Sequence, residues 1–105
     1  MSKMFLQKYL NDFYYELVLS TYDESYLNTL DEKNFLKIYH LLEKYKFYYI
    51  DDIILKYLEI FELNYKELEE QLKILKNSLG ENFVYIIGND LRYLDLLLEP
   101  AYEDY

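Results

Sequence analysis

Two glycines and one proline are all that interrupt 105 residues. These residue types are the strongest local breakers of regular backbone, and no long polar linker separates the segments, so most of the chain is free to be helical. Apolar residues recur three and four positions apart. Phe35, Ile38, Tyr39, Leu41, Leu42 and Tyr45 form one such series, and Ile50, Ile53, Ile54, Tyr57, Leu58 and Phe61 another. Leu68, Leu72, Leu75 and Leu79 form a third. Each is the stripe that one face of a 3.6-residue helix presents to a core. The expectation is an all-α fold, an irregular bundle or short helical repeat of about five to seven helices, in a single domain over residues 1–105.

The spacing predicts a first helix over about residues 2–19 with Ser2 as N-cap, and a short turn or helix near 23–27. The next helix is expected from Asp31, and a further one over about 50–61 with Asp51 and Asp52 in its first turn, where carboxylates favour the positive end of the helix dipole. Asn64 reads as an N-cap, with Glu67 placed as in a capping box, and Gly80 reads as the residue that ends that helix. A short apolar helix over about 82–87 and a last one over about 90–98, closed by Pro100, complete the series. The tail, 102–105, is expected to be peripheral.

The sequence repeats itself at an offset of 36 positions. Leu36-Lys37-Ile38 recurs as Leu72-Lys73-Ile74, Phe47, Tyr49 and Ile50 match Phe83, Tyr85 and Ile86, and residues 55–61 match 91–97. Residues 36–61 and 72–97 are therefore a candidate repeat of stacked helices. Leu, Lys and Tyr are also abundant enough for amphipathic helices to resemble one another. Within the second unit, Leu72, Leu75, Leu79-Gly80, Ile86-Ile87 and Asn89-Asp90-Leu91 resemble the helical repeat of mitochondrial transcription termination factors, with Asp90 where that family has proline. The resemblance implies nucleic-acid binding through a basic concave surface. No comparable basic set occurs in this chain, and the family is not assigned.

Net charge is −9, spread as −3, −2 and −4 over residues 1–34, 35–75 and 76–105. A nucleic-acid binder neutralises phosphates with Lys and Arg, so direct nucleic-acid binding is disfavoured. The acidity suits attraction to a basic partner, and it equally suits plain solubility. No apolar run approaches a membrane span, and no secretory signal is expected. The absence of cysteine excludes disulfides and thiolate zinc sites and is compatible with a cytoplasmic protein.

Catalytic chemistry finds no foothold. His40 is the only histidine, and it lacks a second ligand at metal-binding spacing. The serines lie in no nucleophile motif, and Gly80 and Gly88 form no phosphate loop. The acidic pairs lack the Glu-x-x-His pattern of di-metal bundles and the pattern of a calcium loop. No catalytic residue, cofactor or metal is expected.

Tyrosine is the unusual component, with fifteen residues including the pairs Tyr14-Tyr15 and Tyr48-Tyr49. Its rings are rigid and amphipathic and are enriched in interfaces, although AT-rich coding also raises Tyr, Lys, Asn and Ile together. Neighbouring tyrosines cannot share one inward direction. The candidate partner-binding residues are Tyr48, Asp51 and Asp52, which differ between the two repeat units. The expected function is a small acidic protein-binding module, an inhibitor or immunity-type protein that occludes a basic nuclease or other nucleic-acid-binding target, anti-CRISPR-like or bacteriocin-immunity-like. The alternatives are a helical-repeat nucleic-acid-binding protein using Lys37, Lys44, Lys46, Lys56, Lys73, Lys76 and Arg92, and an oligomerising subunit using residues 83–87.

Overall fold

Asparagine and aspartate side chains set where the helices begin. Asn11 accepts from the Tyr14 N–H at 2.8 Å and opens α1 (Asp12–Thr21). Asp31 accepts from the Lys33 N–H and opens α3 (Glu32–Lys44), after the single turn of α2 (Glu24–Leu27). Asn64 accepts from the Glu67 N–H and opens α5 (Tyr65–Leu79), which Gly80 ends with a φ of 91°. Such caps satisfy amide groups that have no partner inside the helix. The remaining helices are α4 (Ile50–Lys56), α6 (Phe83–Asn89) and α7 (Asp95–Leu98). Three 3-10 segments, Ser2–Lys8, Leu58–Glu62 and Leu91–Leu94, lie between or before them. The computed structural model describes residues 2–98, with side chains from Phe5 onward, and no strand occurs among the described residues. The fold is all-α.

Three expected helices are each divided. The first becomes the 3-10 segment Ser2–Lys8 followed by α1, because the Asn11 cap starts a new helix inside the predicted span. The helix predicted over 50–61 stops at Lys56 and resumes as 3-10 turn. Its break is held from a distance, since the Tyr22 hydroxyl donates to the Leu55 carbonyl at 2.9 Å and accepts from the Leu58 N–H at 3.3 Å. One phenol thereby supplies a donor and an acceptor to backbone groups at the interruption. The last helix divides into Leu91–Leu94, capped by Asp90, and α7. Pro100 and the tail at 102–105 lie outside the described residues.

The core is continuous. α3 packs on α5 and on the turn Leu58–Glu62, and α1 packs on α4. Phe35, 1% exposed, stacks on Phe61 at 4.7 Å and meets Phe5 edge-on at 5.1 Å. The helix order α3, α4, turn recurs as α5, α6, turn. The first set begins at residues 32, 50 and 58, the second at 65, 83 and 91, a constant step of 33. α5 is longer than α3, and the connection after it is correspondingly shorter. The matches at offset 36 cross this register. Leu58 and Leu94 are both buried, as are Phe61 and Leu97, but buried Ile38 corresponds to Ile74, which is 54% exposed.

α3 ends in a Schellman motif: the Phe47 N–H donates to the Leu42 carbonyl at 3.0 Å and the Lys46 N–H to the Glu43 carbonyl at 2.9 Å. The left-handed position in this motif usually belongs to glycine, yet here Lys46 holds it at a φ of 70°. Lys46→Gly is expected to stabilise the fold by about 0.5–1 kcal/mol, a rise of roughly 2–8 °C in melting temperature. A lower melting temperature in a circular dichroism melt would contradict this account of the helix end.

Candidate functional site

The segment that enters α4 carries the candidate residues. Phe47 and Ile50 are buried, and they fix the chain on either side of Tyr48 and Tyr49. Tyr48 is 71% exposed, its ring edge-on to that of Tyr49 with centroids 4.8 Å apart. Tyr49 is half-buried and lies over α6, where its hydroxyl donates to the Val84 carbonyl. A β-carbon at position 88 would come within 2.8 Å of the Tyr49 ring, which explains a glycine inside α6. The two tyrosines thus take separate roles, one closing the seam between α4 and α6, the other projecting outward.

Asp51 and Asp52 occupy the first turn of α4, both half-buried. The Tyr14 hydroxyl, from α1, donates to Asp52 Oδ1 at 2.6 Å. That hydrogen bond is the main reason the Tyr14 phenol is held above its ordinary value, with burial and the charges of Asp52 and Asp51 acting in the same direction. Burial, then the neighbouring charge of Asp52, pushes the Asp51 carboxyl up. The Asp51 charge also contributes to raising the Tyr39 phenol, behind burial and the charge of Glu43. Asp51 and Asp52 therefore face tyrosines of α1 and α3, while Tyr48 leans on Tyr49 toward α6.

Asp52 also lines an open groove of about 550 Å³ between α4 and the end of α6, together with Lys56, Tyr57 and Arg92. Arg92 is already engaged, since its Nε and Nη2 donate to the two oxygens of Asp90, each at 2.9 Å. His40 pairs with Glu43 at 3.0 Å on the exposed face of α3. No group of residues that could hold a metal ion occurs among those described.

Tyr14 was not among the residues expected from sequence. It stands 38 positions from Asp52, and only the Tyr14-Tyr15 pair pointed to it. The equivalence of Tyr49 and Ile50 with Tyr85 and Ile86 does not extend to their surroundings. Tyr49 is half-buried and Ile50 buried, whereas Tyr85 is 62% exposed and Ile86 half-buried.

The raised pKa of Asp51 has a definite sign. An acid that binds its proton more tightly when folded contributes stability below its unfolded value, and this is lost as pH rises through its folded value. At neutral pH the Asp51 charge therefore works against the fold. Asp51→Asn is expected to melt no lower than the wild type at neutral pH, with the difference shrinking as pH falls through the carboxyl range. A clear loss at neutral pH would show that dipole stabilisation outweighs desolvation. The same sign applies to the tyrosines. Burial is the first cause of the raised values of Tyr22, Tyr26, Tyr39, Tyr49 and Tyr57. Their contribution to stability is complete below about pH 10, the unfolded phenol value, and is lost above it. In an alkaline titration, a cooperative step in tyrosinate absorbance is expected to coincide with loss of helical circular dichroism. Ionisation of all tyrosines with the helices intact would contradict it.

Comparison with protein families, with curated proteins and with solved structures finds no match.

Proposed function

We propose that this chain is a small acidic protein-binding module, an inhibitor or immunity-type protein that occludes the cationic groove of a nuclease or other nucleic-acid-binding protein. The role is of the kind filled by anti-CRISPR and bacteriocin-immunity proteins. The observation that carries the reading is that Tyr48, 71% exposed, and the half-buried Asp51 and Asp52 share the short segment that enters α4, although the carboxylates turn toward Tyr14 and Tyr39 and the Tyr48 ring toward Tyr49. An exposed rigid ring on an acidic surface has the chemistry of an anchor that meets a basic one. The wider acidic surface would speed encounter, and the ring would slow release.

Two further observations weigh on the alternatives. Of the cations that a nucleic-acid surface would gather, Lys44 is paired with Glu69 at 3.2 Å and Arg92 with Asp90. Of the apolar residues offered for self-association at 83–87, Phe83 and Ile87 are consumed by the core, which leaves Tyr85 as the exposed one. No helix among the described residues is long and apolar enough to cross a membrane.

The test is capture of partners from a lysate of the source cells at low salt, followed by measured binding of purified partners across ionic strengths. A basic protein is expected, bound less tightly as salt rises. Tyr48→Ala is expected to weaken binding about tenfold or more, and Asp51→Asn with Asp52→Asn to slow association and flatten the salt dependence. Asparagine keeps the acceptor for Tyr14 while removing charge. Acidic partners alone, salt-independent binding, or unchanged binding by correctly folded variants would sink the reading. A gel shift with nucleic acid at low salt and micromolar protein would favour the helical-repeat alternative instead.

A further inference from the structure

A second acidic and aromatic surface lies away from Tyr48, where α1 turns into α2 against the Leu58–Glu62 segment. It is an open groove of about 330 Å³ lined by Thr21, Tyr22, Asp23, Tyr26 and Glu59. Both phenols are fixed at their hydroxyl ends. Tyr22 is held by the backbone of Leu55 and Leu58, and Tyr26 donates to Glu62. The rings lie 5.7 Å apart, tilted by 33°. With the hydroxyl ends tied to the fold, the ring carbons remain as groove wall.

Both charged residues that line this wall are acidic. Asp23 and Glu59 are exposed, and the charge of Glu59 reaches both phenols. The ion pairs Lys8–Glu32, His40–Glu43, Lys44–Glu69 and Arg92–Asp90 involve neither Asp23 nor Glu59. Asp23 precedes α2 without capping it through its side chain, so its carboxylate is not spent on the helix.

We propose that this groove binds the guanidinium group of an arginine side chain presented by a protein partner. The planar cation would lie against the Tyr22 and Tyr26 rings and donate to the carboxylates of Asp23 and Glu59. Stacking and forked donation together favour arginine over lysine, whose ammonium is compact and strongly hydrated. The volume accommodates one such side chain, and its openness suits a residue offered from another surface. The proposal rests on the reading of the chain as a protein-binding module only for the source of the arginine. The groove's preference for the group itself is tested without any partner.

The experiment titrates the whole protein with a short capped peptide bearing one arginine, followed by two-dimensional NMR of amide and tyrosine ring signals. The same peptide with citrulline, and with lysine, serves for comparison. Saturable shifts confined to residues 21–26 and the Leu58–Glu62 segment are expected with arginine, with binding at least about threefold weaker for lysine and absent for citrulline. Asp23→Asn combined with Glu59→Gln is expected to weaken arginine binding about tenfold, while Tyr26→Phe, which keeps the ring, retains most of it. Equal binding of citrulline, no preference over lysine, shifts centred on Asp51 and Asp52, or indifference to the double substitution would each overturn the proposal. Failure here leaves the Tyr48 surface untouched, and failure of partner capture leaves the peptide result standing.

Discussion

The stacking of Phe35 on Phe61 ties α3 to the turn that follows α4. Phe35 stands on α3 and Phe61 on the 3-10 turn after α4, so the pair holds that turn against α3. Asn34, the preceding residue, reinforces the grip, its side-chain amide donating to the carbonyls of Phe61 at 2.8 Å and Leu63 at 3.0 Å. A ring and an amide on one turn of α3 thus hold the turn Leu58–Glu62 by packing and by hydrogen bonds together. The Tyr22 hydroxyl bridges the gap between α4 and that turn.

A consequence is a clean division of labour between side chains. The buried residues are all hydrophobic or tyrosine among those described, and no buried side-chain polar atom there lacks a partner. Stability comes from burying apolar area, so the fold places few demands on the charges. Tyrosine occupies the boundary, with rings against the core and hydroxyls tied to backbone or carboxylate, as for Tyr14, Tyr22, Tyr26 and Tyr49. The unusual tyrosine content therefore has a structural account that covers these residues and leaves Tyr48 outside it.

Local signals in the sequence were strong where the structural cause is also local. Asn64 and Gly80 bound α5 as their chemistry requires, and Asp31 opens α3, because a cap acts through amides two or three residues away. The breaks were hidden for the opposite reason. Nothing near Tyr57 marks the end of α4, since the groups that stabilise it come from Tyr22 and Asn34, distant in sequence. Lys46 conceals the end of α3 because it adopts a left-handed conformation without the glycine that would have advertised it. At the candidate site the same contrast holds. Exposure of Tyr48 follows from the inward turn of Phe47 before it and of Tyr49 and Ile50 after it, but the engagement of Asp52 by Tyr14 depends on how α1 crosses α4.

The same geometry bears on what net charge can accomplish. Asp51 at one end of α4 and Glu59 just beyond the other are separated by roughly 10 Å or more along the helix. That spacing is comparable to the screening length of about 8 Å at physiological ionic strength. In the proposed function the two acidic surfaces would therefore act as separate local fields at contact range, and only their long-range sum would draw a basic partner in. Specificity, in the proposed function, has to come from where each field sits beside a ring: Tyr48 near one, Tyr22 and Tyr26 near the other. An acidic surface of equal charge but without these rings would attract the same partners and hold none of them in register. For this reason the net charge of −9 is less informative than the placement of a few carboxylates against tyrosines whose positions the core has already fixed.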